Sequence, residues 1–111
     1  MNIKQIISLN NPIVKDLKKL NQKKYRQQSG NFLVENLTII LDSLKAGIKF
    51  EQIFYTEEFA NKNEQDLDQL LSVVKDGQVF KINSRINKSI SSLTTPTGIV
   101  AVYTQVRRNI K

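Results

Sequence analysis

From residue 32 onward the apolar residues of this chain switch repeatedly between a strand period and a helix period, and that alternation is its strongest constraint on folding. Phe32-Leu33-Val34 is a short apolar run and reads as a buried strand. Leu37, Ile40, Leu41 and Leu44 then fall at i, i+3, i+4 and i+7, a helix that Gly47 closes. Ile53-Phe54-Tyr55 is the next strand, and the polar stretch Glu57–Gln65 reads as a loop or short turn. Leu67, Leu70, Leu71 and Val74 repeat the helical spacing up to a stop at Asp76-Gly77. Val79–Ile82 is a strand, Asn83-Ser84 caps a helix carrying Ile86, Ile90 and Leu93, and Ile99–Tyr103 is the last strand. Such alternation calls for an α/β fold: a largely parallel sheet of about four strands, covered by helices on both faces.

One further helix precedes the series. Asn11 caps it and Pro12 occupies its first position. Ile13, Leu17 and Leu20 lie on one side, with Lys15, Lys18 and Lys19 opposite. The same wheel puts Lys24 on the apolar side. The helix therefore ends or bends near Asn21, leaving Lys23, Lys24 and Arg26 on a separate basic segment before the Ser29-Gly30 turn. At 111 residues, with no internal linker or repeat, this is one domain.

Composition removes most catalytic machinery. The chain has no Cys, His or Trp, which excludes disulfides, thiol nucleophiles, Cys- or His-ligated metals and serine–histidine triads from these residues. Its four glycines are isolated, so there is no glycine-rich phosphate loop. Glu57, Glu58, Glu64, Asp66 and Asp68 lack the spacing of a calcium loop and read as a solvated acidic surface. Absent cysteines suit a reducing cytoplasm. No apolar run approaches the ~18 residues of a membrane span.

The charge is unevenly placed. The net charge of +7 combines +6 over residues 1–30, −5 over 31–80 and +6 over 81–111. In a compact domain the two basic ends can share one face, which suits an anionic partner such as nucleic acid. Lys15, Lys18 and Lys19, continued by Lys23, Lys24 and Arg26, form a stripe able to track a phosphate backbone, and equally a solvated outer face. Two loops offer a second candidate. Glu35, Asn36 and Thr38 stand where the first strand of the alternating series enters its helix, and Ser91–Gly98 leads into the last strand. Capping accounts for the first group and turn geometry for the second; both are compatible with binding.

These residues also carry a family resemblance. Asn11-Pro12-Ile13-Val14-Lys15, Arg26, Phe32-Leu33-Val34-Glu35 and Pro96-Thr97-Gly98-Ile99-Val100-Ala101-Val102 follow in order and at compatible spacing across nearly the whole chain. The series resembles the N-terminal substrate-binding domain of the SpoU/TrmH RNA ribose methyltransferases, within the SPOUT superfamily. Asn36 departs from a usual Gly, and Thr97 from a usual Gln.

The resemblance implies a three-layer α/β/α sandwich with a mostly parallel or mixed sheet, similar to the ribosomal proteins that bind kink-turn RNA. It implies RNA contacts at Glu35, Asn36 and Thr38, and along Lys88 to Thr97 with Thr95 between them. It also implies that catalysis and S-adenosylmethionine belong to a C-terminal knotted domain, whose motifs residues 1–111 do not contain. On that expectation residues 1–106 recognise structured RNA, most simply ribosomal RNA. Arg107, Arg108 and Lys111 begin a linker, and the full-length parent is a homodimer. Two other readings stand beside it: a free-standing kink-turn-binding protein, and a protein-interaction module.

Overall fold

The computed structural model describes residues 2–105. In chain order the elements are β1 (Ile3–Ile6), α1 (Pro12–Lys19), α2 (Lys23–Ser29), β2 (Asn31–Val34) and α3 (Leu37–Lys45). They continue with β3 (Gln52–Thr56), α4 (Glu57–Lys62), α5 (Glu64–Leu71), β4 (Val79–Ile82), α6 (Ser84–Ile90) and β5 (Ile99–Thr104). The strands form one sheet in the order β1-β4-β3-β5-β2. β1, β4 and β3 run parallel, whereas β5 is antiparallel to both of its neighbours, β3 and β2.

The alternation of side chains along each strand divides the core into two layers. Ile53 and Tyr55 of β3, with Ile99, Ala101 and Tyr103 of β5, face α3, α4 and α5, where Ile40, Phe59, Leu67 and Leu70 cover them. Phe54, Val100 and Val102 face the other way, toward Val14 and Leu17 of α1 and Ile86 and Ile90 of α6. Phe54 stacks on Phe80 across the parallel pair, with ring centroids 4.7 Å apart. The expected α/β/α layering is therefore present.

Local signals explain where the helices begin. Asn11 Oδ1 accepts from Ile13 N at 2.9 Å, with Pro12 at the first helical position. α1 stops at Lys19, as the misplaced Lys24 required, and the basic segment after it is a helix of its own, α2. Gly30 ends α2 with φ +76°, a left-handed conformation that glycine adopts without strain.

Five points differ from expectation. The sheet has a fifth strand, β1, beyond the four expected; with two parallel and two antiparallel pairings it is mixed, one of the two forms the resemblance implied. β2 is half-buried, because among the described residues it lies at the sheet edge and pairs with β5 alone. Glu57–Gln65 is no loop: it holds all of α4 and the start of α5. α5 ends at Leu71, well before Asp76-Gly77, although Val74 remains buried. α6 ends at Ile90 because Ser91 is extended, so Leu93 sits in the loop and is 46% exposed. Arg107, Arg108 and Lys111, with the boundary at residue 106, lie outside the described residues.

Candidate nucleic-acid interface

The topology gathers the candidate loops at one end of the sheet. β3 and β4 end there, β5 begins there, and β2, antiparallel to β5, ends beside it. α3, α4 and α6 each start within three residues of a strand end. Asn36 Oδ1 accepts from Ile39 N at 3.1 Å, Thr56 Oγ1 from Phe59 N at 3.2 Å, and Asn83 Oδ1 from Ile86 N at 2.8 Å. Capping is thus the observed job of the Asn36 side-chain oxygen.

Glu35 joins the two loops. Its backbone oxygen accepts from Thr97 Oγ1 at 2.7 Å, and its Oε2 accepts from Ser92 N and Ser92 Oγ, each at 3.2 Å. Thr97 Oγ1 lies 3.1 Å from Ile99 O as well, so this hydroxyl braces the junction. Next to it, Gly98 has φ +87°, and a Cβ there would stand 2.9 Å from both Phe59 Cβ and Thr56 Oγ1. Thr56 N donates to Gly98 O at 2.9 Å. Only glycine combines that backbone with that approach. Asn36, Thr38, Thr95 and Thr97 remain exposed around this junction.

Lys15, Lys18 and Lys19 are exposed on α1, and Lys23 and Lys24 on α2. Lys19 lies 3.8 Å from Asp16, an exposed pair of little energetic weight. Arg26 differs from them: it is half-buried and one guanidinium nitrogen donates to Leu20 O at 2.9 Å, tying α2 to the end of α1. It also shares a small cavity with Asn21, Glu35 and Ser92. Arg26 therefore connects the basic helices to the joined loops.

The structure adds residues that sequence reasoning passed over. The Lys19 and Lys24 ammonium groups stand 5.6 and 5.4 Å from the centroid of the Tyr25 ring. That is cation–π range. An aromatic residue inside a basic run was the available signal. Lys88, exposed on α6, lines a cleft of about 530 Å³ with Arg85, Lys62 and Thr97. Arg85 and Lys62 were visible in sequence only as charges, since nothing local indicates that α4 and α6 line one cleft. No helix among the described residues is long and apolar enough to cross a membrane.

Comparison with known proteins bears on this arrangement. The model of the MRM3-like substrate binding domain matches residues 11–101. An uncharacterized tRNA/rRNA methyltransferase of Synechocystis is 29% identical over 102 residues, which is 92% of this chain and 36% of that protein. An rRNA methyltransferase from Sinorhizobium meliloti has a similar structure, with a TM-score of 0.75 and 29% identity over 97% of this chain and 39% of the other. That enzyme is also known with AdoMet bound. An RNA 2′-O ribose methyltransferase aligns with a TM-score of 0.75 and 25% identity, over 96% of this chain and 40% of its own. The chain spans less than half the length of each of these relatives.

Proposed function

We propose a function from one premise: the chain belongs to the MRM3-like substrate binding domain family. The domain holds structured RNA, ribosomal RNA by analogy with the Sinorhizobium relative, for 2′-O-ribose methylation at an active site outside these residues. Phosphate contacts from Lys15, Lys18, Lys19, Lys23 and Lys24 fix the register of the RNA. Asn36, Thr38, Lys88, Thr95 and the junction held by Glu35, Arg26 and Thr97 meet its shape or its unpaired bases. The observation that carries this reading is the joining of the two loops through Glu35, with Arg26 of the basic helix α2 lining the same small cavity.

S-adenosylmethionine does not suit this surface. Its sulfonium is cationic, and the surface is lined by lysines and Arg85. The cofactor goes with a catalytic domain, through which the whole protein dimerises. A cytoplasmic setting accords with the absence of cysteine.

Salt dependence of RNA affinity tests the reading. If about four phosphates are neutralised, log K falls with log salt at a slope of about −3. Replacing Lys15, Lys18 and Lys19 by Ala should remove about two units of that slope and leave the melting temperature nearly unchanged. A flat salt response, or no RNA binding at low salt, rejects the assignment and favours a protein-docking module.

A further inference from the structure

We infer that the cleft between α4, α6 and the Pro96–Gly98 loop receives one unpaired nucleotide of the RNA, whose base carries an amino group beside a ring nitrogen, as adenine and cytosine do. This rests on the proposed RNA-binding function and names the part of the RNA that the sheet end reads.

The cleft, about 530 Å³, falls within the usual range for small-ligand pockets. Two helices from opposite faces of the sheet supply its cations, Lys62 from α4 and Arg85 and Lys88 from α6, and Glu58 is the one acid among its lining residues. All three cations are exposed, and neither ion pair found among the described residues involves them. A phosphodiester is the complementary group.

The second observation lies in the lining itself. Asn87 is 4% exposed, and its Oδ1 has no hydrogen-bond partner among the described residues. Folding gains nothing from a buried acceptor left unpaired, so its presence calls for a reason. A backbone phosphodiester carries no proton at neutral pH and so cannot donate to it. An asparagine amide carries an acceptor and a donor side by side, which matches an amino group next to a ring nitrogen. One nucleotide therefore answers both features: its phosphate meets the lysines and Arg85, and its base meets Asn87. Thr56 and Gly98, packed together across the cleft, give it a rigid wall.

The experiment is an NMR titration of the ¹⁵N-labelled chain with AMP, with purine riboside 5′-monophosphate, which lacks the amino group, and with inorganic phosphate. AMP should shift the side-chain amide of Asn87 and the backbone amides of Arg85 and Gly98. It should bind at least threefold more tightly than either control. Lys62→Ala and Arg85→Ala, both at exposed positions, should each weaken AMP at least twofold. Asn87→Leu should erase the advantage of AMP over its controls while the melting temperature holds or rises. Equal binding of AMP and inorganic phosphate, or shifts confined to α1 and α2, would overturn the inference, as would unchanged AMP affinity in both rim variants. RNA binding measured in parallel separates the two claims. Loss of RNA affinity in Lys15→Ala/Lys18→Ala/Lys19→Ala but not in Arg85→Ala or Asn87→Leu removes the cleft and leaves the RNA-binding function standing. Absence of RNA binding by the unaltered chain removes that function.

Discussion

The two helical layers on the sheet are built alike on the inside and oppositely on the outside. Val14, Ile86 and Ile90 are fully buried beneath α1 and α6, and Ile40 and Leu70 are fully buried beneath α3 and α5. On the outer surface, α1 and α6 carry five cations and one acid, whereas α3, α4 and α5 carry six acids and two lysines. Core packing asks only that outer positions be polar. It has no preference for sign, so the sorting of charge by layer is information that folding alone does not require. Along the chain it reads as two basic ends and an acidic middle. Among the described residues, the topology brings α1 and α6, nearly seventy residues apart, side by side on one face of the sheet.

The comparison breaks most severely where the layers touch. The loop leaving α6 packs Gly98 against Thr56 at the end of β3 and Phe59 of the opposite layer. Gly98→Ala should cost about 3 kcal/mol, combining left-handed backbone strain with a close contact. Gly30→Ala, with φ +76° and open space around it, should cost about 1 kcal/mol. Urea denaturation of both decides whether Gly98 is a pin between layers or only a turn.

Charge reversal sharpens the contrast next. Lys15→Glu/Lys18→Glu/Lys19→Glu should weaken RNA binding roughly 30-fold or more at low salt, since repulsion replaces attraction. Glu64→Lys/Asp66→Lys/Asp68→Lys should change it by no more than about threefold. Equal responses, read by fluorescence anisotropy, would mean that RNA senses net charge and not a face.

Alkaline pH should single out the acidic layer. Tyr55 and Tyr103 both lie under α3–α5, and burial raises each above the ordinary value of 10.0, opposed at Tyr103 by the hydrogen bond with Ser43. The folded chain keeps these phenols neutral while the unfolded chain ionises them. Their contribution is therefore fully present below pH 10.0 and is lost as pH rises above it. Stability measured from pH 9 to 11 should fall less steeply in Tyr55→Phe/Tyr103→Phe than in the unaltered chain. Smallest of all, Glu57→Gln should cost about 0.5 kcal/mol or less, because the 3.6 Å pair with Lys81 is largely solvated at the carboxylate. A larger loss would give the acidic layer an electrostatic role in the fold.

What could be read in advance follows from where the signals are local. Asn11-Pro12 and Asn83 announce helices α1 and α6 because caps act within four residues, and β3, β4 and β5 announce themselves as unbroken apolar runs. β1 does not, since three of its four residues are exposed and Ile3 is 41% accessible at the sheet edge. α4 hides because Phe59 is its one buried residue, too few for a period, although Thr56 before two acids was a readable start. The reversal of β5 is invisible in sequence, for an apolar run has no direction. The same holds for the site: the lysine stripe and the Glu35 and Thr97 loops are legible as motifs. Their bond to each other, and the shared cleft of Lys62 and Arg85, are long-range facts.

The reversed strand also governs timing. β2 is finished by residue 34, yet among the described residues its only strand partner is β5, some seventy residues later, and β5 connects it to β3. A nascent chain can assemble β1, β4 and β3 as a parallel trio while Phe32 and Leu33 wait with an open edge. Closure of so long a loop makes the last strand the slow step of folding. The surface where Glu35 meets Thr97 therefore comes into being only when the sheet is completed, and a half-made domain has no such junction to offer.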